Sequence, residues 1–108
     1  MADFTTMQDF DRLTEYTELF STLKTMHKSQ IVHMHISPKN IVFVTEKNRQ
    51  QNLEFKLKFL DYGLQNLSDP IVFVDDNFSH PRMLQDNMAY TFYDIYSLTL
   101  TIFYIESF

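Results

Sequence analysis

An eight-residue segment, His33–Asn40, restricts the fold of this chain more than any other feature of its sequence. It reads His-Met-His-Ile-Ser-Pro-Lys-Asn and leads directly into the apolar run Ile41–Val44. A proline after a small polar residue favours a turn, and a β-branched run after such a turn is typical of a buried strand. Asp61-Tyr62-Gly63 follows 21 residues after Asn40 and contains the single glycine of the chain. The sequence therefore predicts a loop, a strand and a second turn in this order.

The composition is that of one small globular domain. The chain has 108 residues and a net charge of −5, and 44% of its residues are hydrophobic. Because the basic residues are scattered, we expect no binding to nucleic acid and none to an anionic membrane. The absence of cysteine excludes disulfides and thiolate zinc sites. With no secretory signal and no apolar segment of roughly 20 residues, we expect an intracellular protein, cytoplasmic or nuclear.

Aromatic residues are abundant for a chain of this length, with eleven Phe and six Tyr. So small a domain can bury only part of this aromatic surface. We therefore expect an exposed apolar patch, through which the chain binds a protein partner or self-associates.

Hydrophobic periodicity predicts an α+β fold. Residues 7–29 repeat apolar side chains at three- and four-residue steps, which indicates an amphipathic helix. Its apolar stripe comprises Phe10, Leu13, Tyr16, Leu19, Phe20, Leu23 and Met26. Tyr93–Ile105 is apolar on most sides, as in a helix that is buried all round. Ile41–Val44 and the alternating segment Glu54–Phe59 are predicted to pair as a hairpin, with a polar loop over Thr45–Asn52 between them.

The remaining segments have weaker patterns. Leu64–His80 has no helical period and is predicted as a loop with one extended piece, Ile71–Val74. The pattern of Met83–Thr91 is ambiguous.

The order and spacing of four motifs resemble the second half of a protein kinase domain. The catalytic loop of that family is His-Arg-Asp-Leu-x-x-x-Asn, and its metal-binding turn is Asp-Phe-Gly. His33–Asn40 and Asp61-Tyr62-Gly63 are similar to these two motifs. Phe78-Ser79-His80-Pro81-Arg82 resembles the Tyr-x-Ala-Pro-Glu that closes the activation segment, and Asp94 follows at a spacing like that of the family. The resemblance covers roughly residues 10–106.

The resemblance implies part of a kinase C-terminal lobe: a long helix, a catalytic loop, a β-hairpin, an activation-segment-like loop and a buried helix. A chain with one glycine has no Gly-rich phosphate loop, and no Val-Ala-Ile-Lys strand precedes its first helix. We therefore expect residues 1–108 to form a truncated kinase-like domain without the nucleotide-binding N-terminal lobe.

Carried over residue by residue, the resemblance implies an incomplete catalytic loop. His33 matches a structural histidine of the family, whereas Met34 replaces the arginine that pairs with a phosphorylated activation segment. His35 replaces the catalytic aspartate, which accepts the proton of the substrate hydroxyl. Ser37 replaces the lysine that steadies the phosphoryl group, and serine supplies no positive charge.

The resemblance also implies residues for cofactor binding and support. Asn40 and Asp61 match the ligands of Mg²⁺, and Gly63 allows a close approach of the ATP phosphates. Asp94 matches a structural aspartate, which accepts hydrogen bonds from the backbone of the catalytic loop. A carboxylate at the start of a helix also interacts favourably with the helix dipole.

These residues favour a pseudokinase-like fragment that acts by binding a protein partner, with Mg²⁺ and ATP possible ligands but not required ones. Two other functions stay open: a divergent Ser/Thr-type protein kinase represented in part, and an unrelated small interaction domain. A further alternative is a metal site, in which His33 and His35 face one way on a strand and His27 or Asp61 joins them.

Overall fold

The computed structural model of the chain describes residues 9–60, 65–67, 77–83 and 88–107. Within these ranges the fold is α+β, as predicted, with two α-helices and four strands. The elements in chain order are helix α1 (Asp9–Lys28), strand β1 (Ile31–Val32), a 3-10 turn (Pro38–Asn40), strands β2 (Ile41–Lys47), β3 (Leu53–Phe59) and β4 (Gln65–Asn66), and helix α2 (Thr91–Glu106). Neither described helix combines the length and the apolar character needed to cross a bilayer.

Strands β2 and β3 form the predicted antiparallel hairpin, but its arms are longer than expected. Pairing runs from Ile41 opposite Phe59 to Lys47 opposite Leu53, so the start of the predicted polar loop belongs to β2. The reason lies in the turn, where the Asn48 side-chain oxygen accepts hydrogen bonds from the N–H groups of Gln50 and Asn52. Because Asn48 closes a tight turn, the polar residues before it can pair.

Strands β1 and β4 form a second, very short antiparallel pair. Ile31 lies opposite Asn66 and Val32 opposite Gln65. The prediction of loop throughout Leu64–His80 is therefore wrong at β4. Two residues give no periodic pattern, so tertiary contact rather than local sequence decides this pairing. The predicted extended piece Ile71–Val74 lies outside the described residues.

Helix α1 buries one face, although this face differs from the predicted stripe at its first turns. Leu19 and Leu23 are buried, but Leu13 is 62% exposed. Glu15 is buried instead, and its Oε1 accepts a hydrogen bond from the Leu57 N–H of β3 at 3.0 Å. The helix therefore uses a carboxylate where the sequence pattern predicted only apolar contacts.

Two hydrophobic clusters meet at the loop between β1 and β2. The first cluster joins α1, β3 and α2 and comprises Tyr16, Leu19, Leu23, Ile36, Leu57, Phe59 and Leu98. The second cluster comprises Val32, Met34, Met83, Ala89 and Tyr93. The loop contributes Ile36 to the first and Met34 to the second. The loop is therefore anchored in both clusters.

Helix α2 is buried on one side only within the described part of the chain. Its buried residues are Tyr93, Asp94, Ser97, Leu98 and Thr101. Its exposed large apolar residues are Phe92, Ile95, Tyr96, Phe103 and Tyr104. The prediction of burial on all sides is thus not met by the described residues. These exposed side chains agree with the expectation of exposed apolar surface, and self-association through it stays a prediction.

Candidate functional site

The backbone of the loop His33–Asn40 is sharply bent at both ends. Met34 has φ = 63°, a left-handed conformation that is unfavourable for a residue with a side chain. Ser37 is extended, and Pro38 then begins the 3-10 turn, where the missing N–H of proline is no loss. A conformation of this kind persists only when its surroundings hold it in place.

Asp94 supplies that support from the first turn of α2. Its Oδ2 accepts a hydrogen bond from the His33 N–H, and its Oδ1 accepts one from the Met34 N–H, both at 2.8 Å. The carboxylate is 1% exposed, and its position near the helix N-terminus favours its negative charge. One buried side chain therefore accepts hydrogen bonds from two successive N–H groups, that of the left-handed residue and that of the residue before it.

His27 is a third partner of Asp94. Its Nε2 lies 2.8 Å from Asp94 Oδ2. Because an ionised carboxylate can only accept, the imidazole donates this hydrogen bond. From the sequence, His27 was expected only as a possible metal ligand. Its pairing with a residue 67 positions later has no local signal.

The two histidines of the loop lie in different environments. His33 is fully buried, and its ring centroid is 5.3 Å from that of Phe59. Its Nδ1 accepts a hydrogen bond from the His35 N–H at 3.1 Å. His35 is partly exposed. His33 therefore supports the local backbone, while the His35 side chain is within reach of solvent.

Asn40 ties the end of the loop to its middle. Its Nδ2 donates to the His35 carbonyl at 2.8 Å, and its own carbonyl accepts from the Leu60 N–H at 2.7 Å. The residue is 8% exposed. Asn40 thus connects the loop with the end of β3, immediately before Asp61 in the sequence.

The predicted Mg²⁺ ligands are only partly described. Asp61 and Gly63 lie outside the described residues. Mg²⁺ usually binds one or two carboxylates together with substrate phosphates. Of the predicted ligands, the described residues supply only the side-chain oxygen of Asn40, which does not make a magnesium site by itself.

The alternative histidine metal site is not formed as predicted. His33 and His35 do not lie on a strand, because Met34 between them is left-handed. His33 Nδ1 is already an acceptor for the His35 N–H. No group of three His, Cys, Asp or Glu residues suited to a metal occurs in the part of the chain that the structure describes.

The side chains of the loop differ in charge and in exposure. Ser37 is buried at 2% exposure and neutral, so it offers no cation to a phosphate. A neutral His35 imidazole can accept a proton, but its ring reaches further from the backbone than an aspartate carboxylate. Lys39, on the same 3-10 turn, is exposed. The loop is thus held in place by its neighbours, and its His35 and Lys39 side chains are accessible to solvent.

An open cleft of about 620 Å³ lies beside the loop. Its walls are residues 37–39, residues 77–78, and Leu100, Phe103 and Tyr104 of α2. The Ser97 hydroxyl donates to the Phe78 carbonyl at 2.7 Å, which fixes the second wall on the helix. The sequence did not predict this cleft, because its walls come from three segments that are distant along the chain.

The ends of the two helices are joined by a polar contact that the sequence also did not predict. Glu106 Oε1 accepts hydrogen bonds from Arg12 Nε at 3.0 Å and from the Tyr16 hydroxyl at 2.8 Å. Hydrogen bonds from Arg12 and Tyr16 lower the pKa of Glu106. Burial, together with the Glu106 hydrogen bond, raises the pKa of Tyr16. These three residues cross-link α1 and α2 far from the loop.

Comparison with known proteins finds distant relatives among plant kinases. The chain is 28% identical over 95 residues to a calcium and calcium/calmodulin-dependent serine/threonine-protein kinase of Lilium longiflorum, covering 83% of this chain and 17% of the relative. It is also 28% identical over 104 residues to a protein of the same description from Oryza sativa subsp. japonica, covering 92% of this chain and 19% of the relative. No family model matches the chain.

These comparisons support a distant relation to serine/threonine protein kinases over about 100 residues. The chain spans less than a fifth of the length of the curated relatives it matches. The relation therefore concerns one segment of a kinase and leaves the activity of this chain to be established.

Proposed function

We propose that this chain is a kinase-like binding module that has lost phosphoryl transfer and acts by binding a protein. The observation that carries the proposal is the loop His33–Asn40. It is held on Asp94 like a working catalytic loop, yet it presents His35 and Ser37 where the kinase motif has aspartate and lysine. In this proposal the support by Asp94 is retained, while His35 and Ser37 replace the two reactive residues of the kinase motif.

The hydrogen bonds around the loop support a structural role for its remaining motif residues. Both carboxylate oxygens of Asp94 accept hydrogen bonds from the loop backbone, and the side-chain amide of Asn40 donates one to the His35 carbonyl. In this arrangement His33, Asn40 and Asp94 stabilise the loop whether or not a nucleotide binds. We extend the proposal to the domain: residues 1–108 correspond to part of a kinase C-terminal lobe.

Mg²⁺ and ATP are not required in this proposal. A lysine facing the phosphates is replaced by a buried neutral serine, and an aspartate base is replaced by an imidazole. Each change removes a charge that the transfer of a phosphoryl group uses. Binding of a protein needs neither charge.

Two measurements on the 108-residue chain test the proposal together. The first is a thermal melt with and without millimolar Mg²⁺–ATP. A ligand present at a hundred times its Kd would stabilise the fold by about 2.7 kcal/mol, which is several degrees in a domain of this size. We expect the Tm to stay unchanged. The second is transfer of labelled phosphate from ATP to a mixture of generic protein substrates, for which we expect no signal.

Restoring the motif provides the matched variants. The double substitution His35→Asp and Ser37→Lys returns both kinase residues, and Lys39→Ala serves as a control on the same loop. Phosphate transfer by the unmodified chain that is lost in Asn40→Ala would overturn the proposal. Absence of transfer in the unmodified chain agrees with it, whatever the double variant does.

A second candidate function is a divergent serine/threonine protein kinase represented in part. It is favoured by the similarity to two proteins described as serine/threonine kinases. In that case His35→Asp alone should raise phosphate transfer, since an aspartate would return the proton acceptor to its usual place. No gain from this substitution would count against the candidate.

A further inference from the structure

The cleft beside the loop has an aromatic floor that is exposed. Phe103 is 69% exposed and Tyr104 is 47% exposed, both on the last turns of α2. The Phe78 ring packs edge-on against Tyr104, with 5.6 Å between centroids. Covering aromatic surface of this size is favourable for any apolar side chain that fits against it.

The walls of the cleft are held in place before anything binds. Ser97 anchors the Phe78 backbone, and the 3-10 turn carrying Lys39 contacts α2. The turn itself belongs to the loop that Asp94 fixes. A surface with fixed walls loses little conformational freedom when it is occupied, which favours affinity.

Among the described residues that line the cleft, Lys39 carries the only charged side chain. It is exposed, and it forms no salt bridge with any described acidic residue. An apolar surface with one ammonium group at its edge complements a ligand that has an apolar group next to a negative charge.

We infer that this cleft binds a peptide segment in which an aromatic or large aliphatic residue is followed by acidic residues. The inference rests on the proposed function, because it names the kind of protein segment that the binding module recognises. The apolar side chain lies against Phe103, Tyr104 and Phe78, and the adjoining carboxylate contacts Lys39.

The dimensions and charge of the chain favour a peptide over other ligands. A cleft of about 620 Å³ accommodates more than one side chain and is open to solvent, as a passing peptide requires. The one lysine that lines the described part of the cleft does not attract an anionic lipid surface, because the chain has a net charge of −5. The same net charge opposes long-range attraction of acidic peptides, so preference for acid must come from direct contact with Lys39.

The test measures fluorescence anisotropy of labelled peptides titrated with the 108-residue chain. The probe is Ser-Gly-Phe-Asp-Asp-Gly-Ser. One matched peptide replaces the phenylalanine by alanine, and another replaces both aspartates by lysine. We expect the alanine peptide to bind about tenfold more weakly than the probe, because it lacks the aromatic side chain that contacts the cleft.

Exposed positions provide matched protein variants that leave the fold intact. Phe103→Ala removes the aromatic floor, and Leu53→Ala removes a similarly exposed apolar residue from the far end of the hairpin. Lys39→Glu reverses the charge in the cleft, and Lys47→Glu makes the same change on β2. We expect Phe103→Ala to weaken probe binding about tenfold and Lys39→Glu about fivefold, with both controls unchanged.

A charge exchange gives the sharpest result. Lys39→Glu should bind the lysine peptide more tightly than the unmodified chain does, which a merely unfolded variant could not do. Circular dichroism of each variant verifies the fold. Equal binding of all three peptides, or equal loss in Phe103→Ala and Leu53→Ala, overturns the inference.

Two other outcomes separate this inference from the proposed function. If sedimentation shows a dimer that becomes monomeric in Phe103→Ala and the probe does not bind, the cleft belongs to a second copy and the inference is wrong. The proposed function then still stands. If the probe binds and the chain also transfers phosphate to proteins, the inference stands and the proposed loss of phosphoryl transfer is wrong.

Discussion

The two sides of helix α2 differ in burial, although both carry apolar residues. On the inner side, Asp94 and Leu98 are almost completely buried and contact the loop and α1. On the outer side, Phe103 and Ile95 remain exposed. The inner side is buried against the rest of the chain, whereas the outer side leaves much of its apolar surface exposed.

This difference separates residues that maintain the fold from residues available for binding. A buried carboxylate with two backbone donors cannot be removed without leaving those donors unsatisfied. An exposed phenylalanine can be removed with little effect on the folded state. The helix thus serves as an internal support on one side and as an accessible surface on the other.

The largest effect should come from Asp94→Ala on the inner side. The substitution leaves the N–H groups of His33 and Met34 buried without their acceptor and removes the partner of His27. We expect a loss of about 3–5 kcal/mol in the free energy of unfolding, measured by urea denaturation. Asp11→Ala, at an exposed position of α1, is the control. A loss below about 1 kcal/mol would mean that the loop does not depend on this carboxylate.

A comparison of two aliphatic residues sharpens the contrast between the sides. Leu98→Ala opens a cavity in the first hydrophobic cluster and should cost about 2–5 kcal/mol. Ile95→Ala, at 42% exposure, should cost less than about 1 kcal/mol. Thermal denaturation followed by circular dichroism measures both. Similar losses at the two positions would contradict the assignment of inner and outer sides.

A smaller effect is expected for the buried carboxylate of α1. Glu15→Ala leaves the Leu57 N–H without its acceptor inside the core. The expected loss is about 1–3 kcal/mol, measured by urea denaturation. Glu18→Ala, one turn further along α1 and exposed, should change stability by less than about 0.5 kcal/mol. If both variants lose the same amount, the hydrogen bond from the Leu57 N–H to Glu15 makes no contribution of its own to stability.

The smallest effect concerns the contact of Glu106 with Arg12 and Tyr16. Since the folded-state pKa of Glu106 is lowered, its contribution is present above its unfolded pKa of roughly 4.3 and is lost as the pH falls through the folded value. The side chain is partly exposed, so the contribution should not exceed about 1 kcal/mol.

Unfolding free energies at neutral and acidic pH test this contact. We expect the acid-induced loss to be smaller in Glu106→Gln than in the unmodified chain. Adding Arg12→Gln to that variant should change the pH dependence little further, because the charge pair is already gone. An unchanged pH dependence in Glu106→Gln would show that the contact is not maintained in solution.

Much of the fold could be predicted because it follows local patterns. The alternation Phe55, Leu57, Phe59 identified β3, and the apolar character of 93–105 identified α2. The extra pairing of Thr45–Lys47 and the strand β4 could not be predicted, since polar residues and a two-residue strand carry no periodic signal. The exposure of Leu13 depends on which face of α1 packs against β3 and α2, and the apolar pattern of the sequence did not identify that face.

The candidate site was predictable in its motif residues but not in its partners. His33, Asn40 and Asp94 were identified from order and spacing, and their roles still need direct tests. The contact of His27 with Asp94 was not predicted, because it depends on how α1 packs against α2. The cleft at Phe103 was likewise beyond prediction, since three segments distant in sequence enclose it.

The support of the loop by Asp94 also determines when the loop can form during synthesis. His33 and Met34 leave the ribosome about 60 residues before the carboxylate that holds them. Until Asp94 emerges, the left-handed peptide at Met34 has no acceptor to stabilise it, and the nascent segment stays open to chaperones. The loop is thus completed only after Asp94 has been translated, although the residues of the loop itself are translated about 60 positions earlier.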